Sequence, residues 1–448
     1  MKNYFFTAFL TILLSIGAFY AYKTLLPDSL FAKSMLEYED KEDTLAIDIA
    51  ETDTAETDAA ETDAAETDAT ETEYGPFDGL QRFFQKLFTL EKTKKGSIRI
   101  AYFGDSMTEC DKIVLEIRKG YQNKFGGEGI GFVPLSSLSK FFGGSILYEY
   151  SPKWETYCDF CSKKVSPESL GISGFVSFAK PGVWTSYRKG TLPLVQPTFF
   201  YGQSTNSDAK MIITVDANTV DSVQLNPTEI LNKYSLASLP NELKIKFDNA
   251  DSIPFYGVNF SGNSGVNVDN FALRGNSGLP LGEFNMDLMN AFHREFDYDL
   301  IVLQFGMNVL KLKPGPYDWY ESGMTEVVHH IRKCFPGADI LIISVADKAT
   351  KYETEMKTDY KLTKLIETQE RYARNTRSAF IDIFQMMGGR GSIVRWVNET
   401  PPLAWPDYIH FTPKGSKKMG GLIFEKLDKE YENFKIKNNL YAGKNENE

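Results

Sequence analysis

The chain has 448 residues, of which 42% are hydrophobic and 14% aromatic, so it can bury the cores of two or three domains and is not a disordered protein. Its net charge of −11 argues against a nucleic acid partner, although part of that charge is concentrated in one segment near the amino end. The four cysteines give no zinc-binding spacing, since they contain one C-x-x-C pair without a second pair or a nearby histidine. We expect neither a metal nor a cofactor.

The amino-terminal segment predicts a membrane helix. Residues 4–22 carry no charge and are long enough to cross a bilayer, which takes about 17–25 apolar residues. No Ala-x-Ala-like cleavage site follows, so we expect residues 1–26 to be an uncleaved anchor, with secretion after signal cleavage as the alternative. Residues 27–75 are acidic and repeat the unit Glu-Thr-Asp-Ala-Ala, whose like charges and small side chains favour an extended linker.

The folded part begins near residue 76, and its first strand ends at a serine. An apolar run at residues 98–103 stops at Gly104 and is followed by Asp105 and Ser106. This pattern predicts a buried strand that presents a hydroxyl at its carboxyl end, although Gly-Asp-Ser alone is more often an ordinary strand-to-helix turn. The glycines at 126, 127, 129 and 131 lack a Gly-Lys-Ser/Thr ending and predict a flexible connector, not a phosphate-binding loop.

The rest of the chain predicts two kinds of structure. Residues 151–261 consist of short β-type segments separated by turns, which is typical of an all-β sandwich or jelly roll. Helices and strands alternate over residues 262–435, and with the first strand they make five βα units. We therefore predict an α/β fold with a doubly wound five-stranded parallel sheet, built from residues 76–150 and 262–435. The β domain is inserted between these two parts, and residues 436–448 form a polar tail.

Polar residues follow four of the predicted strands, at the carboxyl edge where the functional side chains of doubly wound sheets lie. They are Ser106, the segment ending at Gly278, Asn308, and the pair Asp407 and His410. His410 is the one histidine of four that lies on a short loop, while His293, His329 and His330 lie on predicted helices. Asp407 precedes His410 by three residues, which is close enough for it to accept a hydrogen bond from one imidazole nitrogen of His410 while the other nitrogen faces Ser106.

Together these four blocks resemble the SGNH (GDSL) hydrolase family, over residues 98–111 and 267–427. The resemblance implies a flavodoxin-like sheet, Ser106 as the nucleophile and His410 as the general base and acid. It also implies that Asp407 orients His410, and that the amides of Ser106 and Gly278 form an oxyanion hole with the Asn308 side chain. Val309 stands where many members have Asp, but that position carries no catalytic group.

A narrower resemblance concerns the motif Gly104-Asp105-Ser106-x-x-Glu109-x-Asp111 and the glycine-rich stretch 124–134. Both are similar to bacterial peptidoglycan O-acetylesterases, which carry a carbohydrate-binding-like β domain between the first and second blocks. This implies an esterase that acts on an O-acetylated glycan at the periplasmic face of a Gram-negative inner membrane, attached through its amino-terminal helix. In that oxidising compartment Cys158 and Cys161 could form a disulfide. An O-acetyltransferase with the same triad and a non-catalytic glycan-binding protein are the alternatives.

Overall fold

The computed structural model describes residues 75–136, 145–158, 169–311 and 315–440. These residues lie in one compact unit, Thr72–Glu448. The predicted membrane anchor and nearly all of the acidic linker lie outside the described residues. No helix within the described ranges is both long enough and apolar enough to span a bilayer.

A five-stranded parallel sheet forms the centre of the unit. With strands numbered in chain order, its members are β1 (Ser97–Gly104), β13 (Gly265–Ala272), β14 (Tyr298–Gln304), β15 (Asp339–Ile343) and β18 (Ala379–Ile381). The strand order is β13-β1-β14-β15-β18, so the first strand lies between the second and the third of the alternating units. This confirms the predicted doubly wound α/β sheet, and it places the carboxyl ends of all five strands at one edge.

Helices cover both faces of this sheet, as the alternation predicts. They are α1 (Gln81–Thr93), α2 (Lys112–Phe125), α3 (Met286–Phe296), α4 (Asp318–Cys334), α5 (Leu362–Asn375), the short α6 (Ile383–Met386) and α7 (Ser392–Asn398), and α8 (Pro413–Lys437). Helices α1, α2 and α8 pack together on one face, and α3, α4 and α5 pack together on the other. Helix α8 continues into the predicted polar tail. Its start is fixed by Thr412, whose hydroxyl accepts a hydrogen bond from the Gly415 amide.

Two antiparallel sheets form the inserted β region. One contains β2 (Gly129–Val133), β4 (Glu155–Cys158), β5 (Phe175–Phe178), β7 (Thr198–Gly202), β10 (Leu231–Ser235) and β12 (Phe255–Ser261). The other contains β3 (Ile146–Tyr150), β6 (Trp184–Lys189), β8 (Lys210–Val215), β9 (Asn218–Gln224) and β11 (Glu242–Asp248). The strands of these sheets begin at Gly129, ahead of residue 151, where the sequence places the start of the insert. Cys158 is disulfide-bonded, and Cys161 lies outside the described residues.

The second half of the glycine-rich stretch is a strand, so its interpretation as a flexible connector was wrong for Gly129 and Gly131, which lie in β2, while Gly126 and Gly127 do lie in the loop between α2 and β2. Strand β2 pairs with β12 in antiparallel register, with Val133 opposite Val258. Gly131 has a φ of +89°, and a Cβ atom there would lie 2.3 Å from a carboxylate oxygen of Asp269. The glycine lets the backbone of the insert approach the parallel sheet closely, and any side chain would prevent that approach.

The first antiparallel sheet is a middle layer that is buried on both faces. Along β7, Phe199 points into the core between the two antiparallel sheets, whereas Phe200 points into the core that contains the parallel sheet and its helices. The Phe200 ring lies 5.1 Å from the ring of Phe296 and 6.0 Å from that of Phe292, both on α3. Because strand side chains alternate between faces, one run of aromatic residues fills two cores at once.

A buried ion pair ties the insert to the parallel sheet. The Arg99 guanidinium on β1 donates to Asp269 on β13 at 2.6 and 2.8 Å, and to Asn259 on β12 at 2.6 Å. Asp269 also accepts from the backbone amide of Phe132 on β2 at 2.8 Å and from the Tyr298 hydroxyl at 2.7 Å. The charges are therefore paired and surrounded by hydrogen bonds, as a buried ion pair requires.

We expect Asp269→Asn to lower the free energy of unfolding by about 3–5 kcal/mol, because the variant leaves the Arg99 charge buried without its partner. Urea unfolding of the full chain measures this. The control is Glu116→Gln, which removes one partner of a surface pair with Lys119 at 3.0 Å and should cost about 0–1 kcal/mol. Equal midpoints for the two variants would contradict the role given to the buried pair.

Candidate active site

The structure brings Ser106, His410 and Asp407 together at the carboxyl edge of the parallel sheet. The Ser106 Oγ lies 3.0 Å from His410 Nε2, and His410 Nδ1 lies 2.6 Å from a carboxylate oxygen of Asp407. Ser106 follows β1 directly, while the other two residues lie on the loop that precedes α8. Two segments 304 residues apart in the chain thus form one continuous hydrogen-bonded series.

The loop that carries His410 is a narrow hairpin closed by backbone hydrogen bonds. Ala404 pairs with Phe411 in an antiparallel bridge, and the Trp405 amide donates to the His410 carbonyl at 2.9 Å. The second carboxylate oxygen of Asp407 accepts from the amides of Ile409 and His410, each at 3.0 Å. One carboxylate therefore fixes both the backbone of the loop and the orientation of the imidazole.

These contacts also determine the charge of Asp407. Burial raises the pKa of its carboxyl, but the hydrogen bonds from the His410 ring and from the Ile409 and His410 amides outweigh burial, so the pKa lies below its ordinary value. Asp407 is ionised near neutral pH and acts as an acceptor. The proton of His410 is therefore held on Nδ1, which leaves Nε2 free to accept from the serine hydroxyl.

The predicted oxyanion donors Gly278 and Asn308 both contact Asn276. The Gly278 amide donates to Asn276 Oδ1 at 2.8 Å, and the Asn308 side chain donates to the Asn276 carbonyl at 3.1 Å. Gly278 has a φ of +93°, and a Cβ atom there would lie 2.9 Å from the Phe305 ring, so only glycine fits. Tyr320 supports the same loop by donating its hydroxyl to the Ser277 carbonyl at 2.8 Å.

Asp105 is a further group in the site whose contacts the sequence did not reveal. Its side chain is buried, and its carboxylate accepts hydrogen bonds from the Met107 amide at 2.9 Å and from the Asn308 side chain at 3.4 Å. Burial raises the pKa of Asp105 to about 6, although the hydrogen bond from Met107 opposes the shift. Its position in the Gly-Asp-Ser motif was the available signal, and Asn276 likewise lies within the motif that ends at Gly278.

A short hairpin missing from the sequence prediction packs against the loop of His410. It consists of β16 (Ala349–Tyr352) and β17 (Glu355–Thr358), and the Ala349 amide donates to the Tyr408 carbonyl at 3.1 Å. In the described ranges, His, Cys, Asp and Glu side chains nowhere gather in a group of three or more that could hold a metal ion.

The comparison with protein families gives one match. Residues 245–418 match the GDSL-like Lipase/Acylhydrolase family. The matched range includes Gly278, Asn308, Asp407 and His410, but not Ser106, which lies ahead of the inserted β region. No curated protein sequence matches the chain.

Solved structures also resemble the chain. A structure of a peptidoglycan O-acetylesterase has 19% sequence identity and a TM-score of 0.67, with 79% of this chain and 96% of that chain covered. A family two carbohydrate esterase from Cellvibrio japonicus has 10% identity and a TM-score of 0.26, over 64% of this chain and 98% of that chain. A family two carbohydrate esterase from Clostridium thermocellum, in complex with cellohexaose, has 11% identity and a TM-score of 0.27, over 63% and 98%.

The fold, the order of the motifs along it and the family match agree with one another. The parallel sheet has the five strands that the sequence predicts, and the motif residues lie on the loops at its carboxyl edge. Residues 245–418 therefore match a family of GDSL-like lipases and acylhydrolases, and the fold of the chain is similar to that of a peptidoglycan O-acetylesterase.

Proposed function

We propose that this esterase removes O-acetyl groups from a cell-envelope polysaccharide, with peptidoglycan as its substrate, through an acetyl-enzyme on Ser106. The hydrogen-bonded series from Ser106 through His410 to Asp407 is the observation that carries the proposal. The choice of substrate is supported by the likeness of the overall fold to that of a peptidoglycan O-acetylesterase.

The geometry suits nucleophilic catalysis. A serine hydroxyl is a weak nucleophile near neutral pH and needs an adjacent base. As the Ser106 Oγ attacks the acetyl carbonyl carbon, its proton passes to His410 Nε2, and Asp407 stabilises the resulting imidazolium. His410 then gives the proton to the sugar oxygen, which leaves as the alcohol. Water activated by His410 next attacks the acetyl-enzyme, releases acetate and restores the Ser106 hydroxyl.

The tetrahedral intermediate carries an oxyanion that needs fixed donors. We assign this role to the amides of Ser106 and Gly278 and to the Asn308 side chain. The Asn308 side-chain amide has two N–H groups. One can keep its hydrogen bond to Asp105, while the other exchanges the Asn276 carbonyl for the substrate oxygen as its acceptor. Asp105 then acts as a positioning residue that holds Asn308 in the required orientation.

We assign the selection of a polymeric substrate to the inserted β region. The outer face of its second sheet carries a partly exposed indole, Trp184, with the Lys244 ammonium 4.5 Å from the ring. An aromatic ring next to a cation suits a glycan that carries carboxylate groups. In this proposal the predicted anchor and linker hold the enzyme at the periplasmic face of the inner membrane, where such a polymer lies.

We expect Ser106→Ala and His410→Ala each to remove nearly all acetate release, because the members of a triad act as a unit. Acetate released from O-acetylated peptidoglycan and from acetylated xylan is measured enzymatically, with circular dichroism as the check on folding. His329→Ala is the matched control, since His329 is exposed on α4 and should leave activity unchanged. Turnover near the wild-type rate in either triad variant would rule out the serine mechanism, and a preference for xylan would rule out peptidoglycan as the substrate.

Asn308→Ala should lower kcat by about 10²–10³, the usual loss for one oxyanion donor. Steady-state kinetics on a small acetyl ester separate kcat from KM. The exposed Asn433 on α8 gives the control variant Asn433→Ala, which should behave as the wild type. If only KM changes in Asn308→Ala, then Asn308 binds the substrate and does not stabilise the transition state.

Asp105→Asn should lower kcat about tenfold at pH 8 and by much less at pH 5. The carboxyl ionises as the pH rises through about 6, and only the ionised form is a full acceptor for the Asn308 amide. Below that pH the wild type has already lost this acceptor, so the two proteins converge. A pH series of kcat for both proteins tests the prediction, and a ratio that stays constant from pH 5 to 8 would contradict it.

A further inference from the structure

Trp405 is a large apolar side chain that remains exposed beside the triad. Its accessible surface is 47% of the maximum, although most indoles in folded proteins are largely buried. The residue lies two positions before Asp407, on the hairpin that carries His410. In the described ranges no aromatic ring or cation stacks on this indole.

The register of the hairpin places Trp405 and His410 on the same face. Ala404 is bridged to Phe411, so the next pair inwards joins Trp405 to His410, as the 2.9 Å bond between the Trp405 amide and the His410 carbonyl also shows. Side chains of directly opposed residues project to one side of an antiparallel pair, with Cβ atoms about 5 Å apart. Ala404 and Phe411 point into the core, and the alternate pair therefore points outwards.

The backbone under the indole is fixed before any ligand binds. The Tyr408 amide donates to the Trp405 carbonyl at 3.0 Å, and the Thr412 amide donates to the Leu403 carbonyl at 2.9 Å. A side chain on such a hairpin loses little conformational freedom when it makes a contact, and an indole adds only two torsions. The exposed ring is thus a preorganised flat surface next to the proposed base.

We propose that Trp405 is the stacking platform for the sugar ring of the substrate, so that it positions the ester between Ser106 and His410. This inference rests on the proposed glycan esterase function. A pyranose ring presents an apolar face of C–H groups and a rim of hydroxyls, which matches a half-exposed indole on the same hairpin face as the polar imidazole of His410. Binding energy from this remote contact becomes positioning of the acetyl carbonyl.

The test compares Trp405→Ala, Trp405→Phe and the control Ile436→Ala in the full chain. Ile436 is 63% exposed at the far end of α8, which is about 35 Å from its first residue. Two substrates are used, soluble O-acetylated peptidoglycan fragments and 4-nitrophenyl acetate. Trp405→Ala should lose at least tenfold in kcat/KM on the fragments, with a fall in kcat as well as a rise in KM because the contact positions the ester, and change less than threefold on the small ester. Trp405→Phe should recover most of the loss, and Ile436→Ala should match the wild type on both substrates.

Two results would overturn the stacking role. An equal fall on both substrates would mean that Trp405 only supports the hairpin of His410, and an unchanged rate on both would mean that the indole contacts no substrate. If the wild type cleaves the small ester but releases no acetate from the fragments, the proposed function fails instead. In that case de-O-acetylated fragments, tested as competitive inhibitors of small-ester hydrolysis, decide the stacking role. Inhibition that is lost in Trp405→Ala supports it, and inhibition that persists unchanged overturns it.

Discussion

The ion pair between Arg99 and Asp269 is the constraint on which the two parts of the unit depend. Removing both charges from water is expensive, and their attraction offsets that cost only when every remaining donor and acceptor is satisfied. Asp269 meets this condition by accepting from the insert, through the Phe132 amide, and from the sheet, through the Tyr298 hydroxyl. Because a shift of one residue in β2 or β12 would break these bonds, the network selects one register for the insert against the sheet. The hydrolase-like part and the β region therefore form one body with a shared interior.

The active site uses the same sheet for its own alignment. Gly104 at the end of β1 lies beside Gln304 at the end of β14, so the loops with Ser106 and Asn308 start level with each other. Parallel pairing thus brings the proposed nucleophile and a proposed oxyanion donor to one edge without further adjustment. His410 lies on a separate hairpin, and the Asp407 carboxylate accepts hydrogen bonds from two backbone amides of that hairpin. The Asn276 contacts show that Gly278 and Asn308 have acceptors before substrate arrives, so the substrate oxygen must replace a protein oxygen on both proposed donors.

Local patterns in the sequence predicted those parts of the fold that depend on local chemistry. The apolar runs of the parallel strands, and the Asp-x-x-His loop ahead of the Thr-Pro helix start, each have a signal within a few residues. The errors and omissions concern contacts between distant segments. Gly131 was interpreted as part of a connector because its reason lies in Asp269, far along the chain. The residues around Asp105 and Asn276 in the sequence do not indicate that either would contact Asn308. The sequence around Phe199 and Phe200 likewise does not indicate that the two rings enter different cores, because the second core is formed by distant segments.

The placement of the insert has a consequence for the order in which the chain folds. Strand β1 is central in the sheet, but both of its neighbours, β13 and β14, follow the whole insert in sequence. At synthesis rates of about 5–20 residues per second, the roughly 160 residues between β1 and β13 take about 10–30 s to appear. Throughout that time β1 has two unpaired edges, and such edges are templates for aggregation. The insert is the next segment to leave the ribosome, and all strands of its middle sheet are synthesised, and must pair with one another, before β13 is synthesised. The β region thus sets the time at which the strand that leads into Ser106 acquires its first partner.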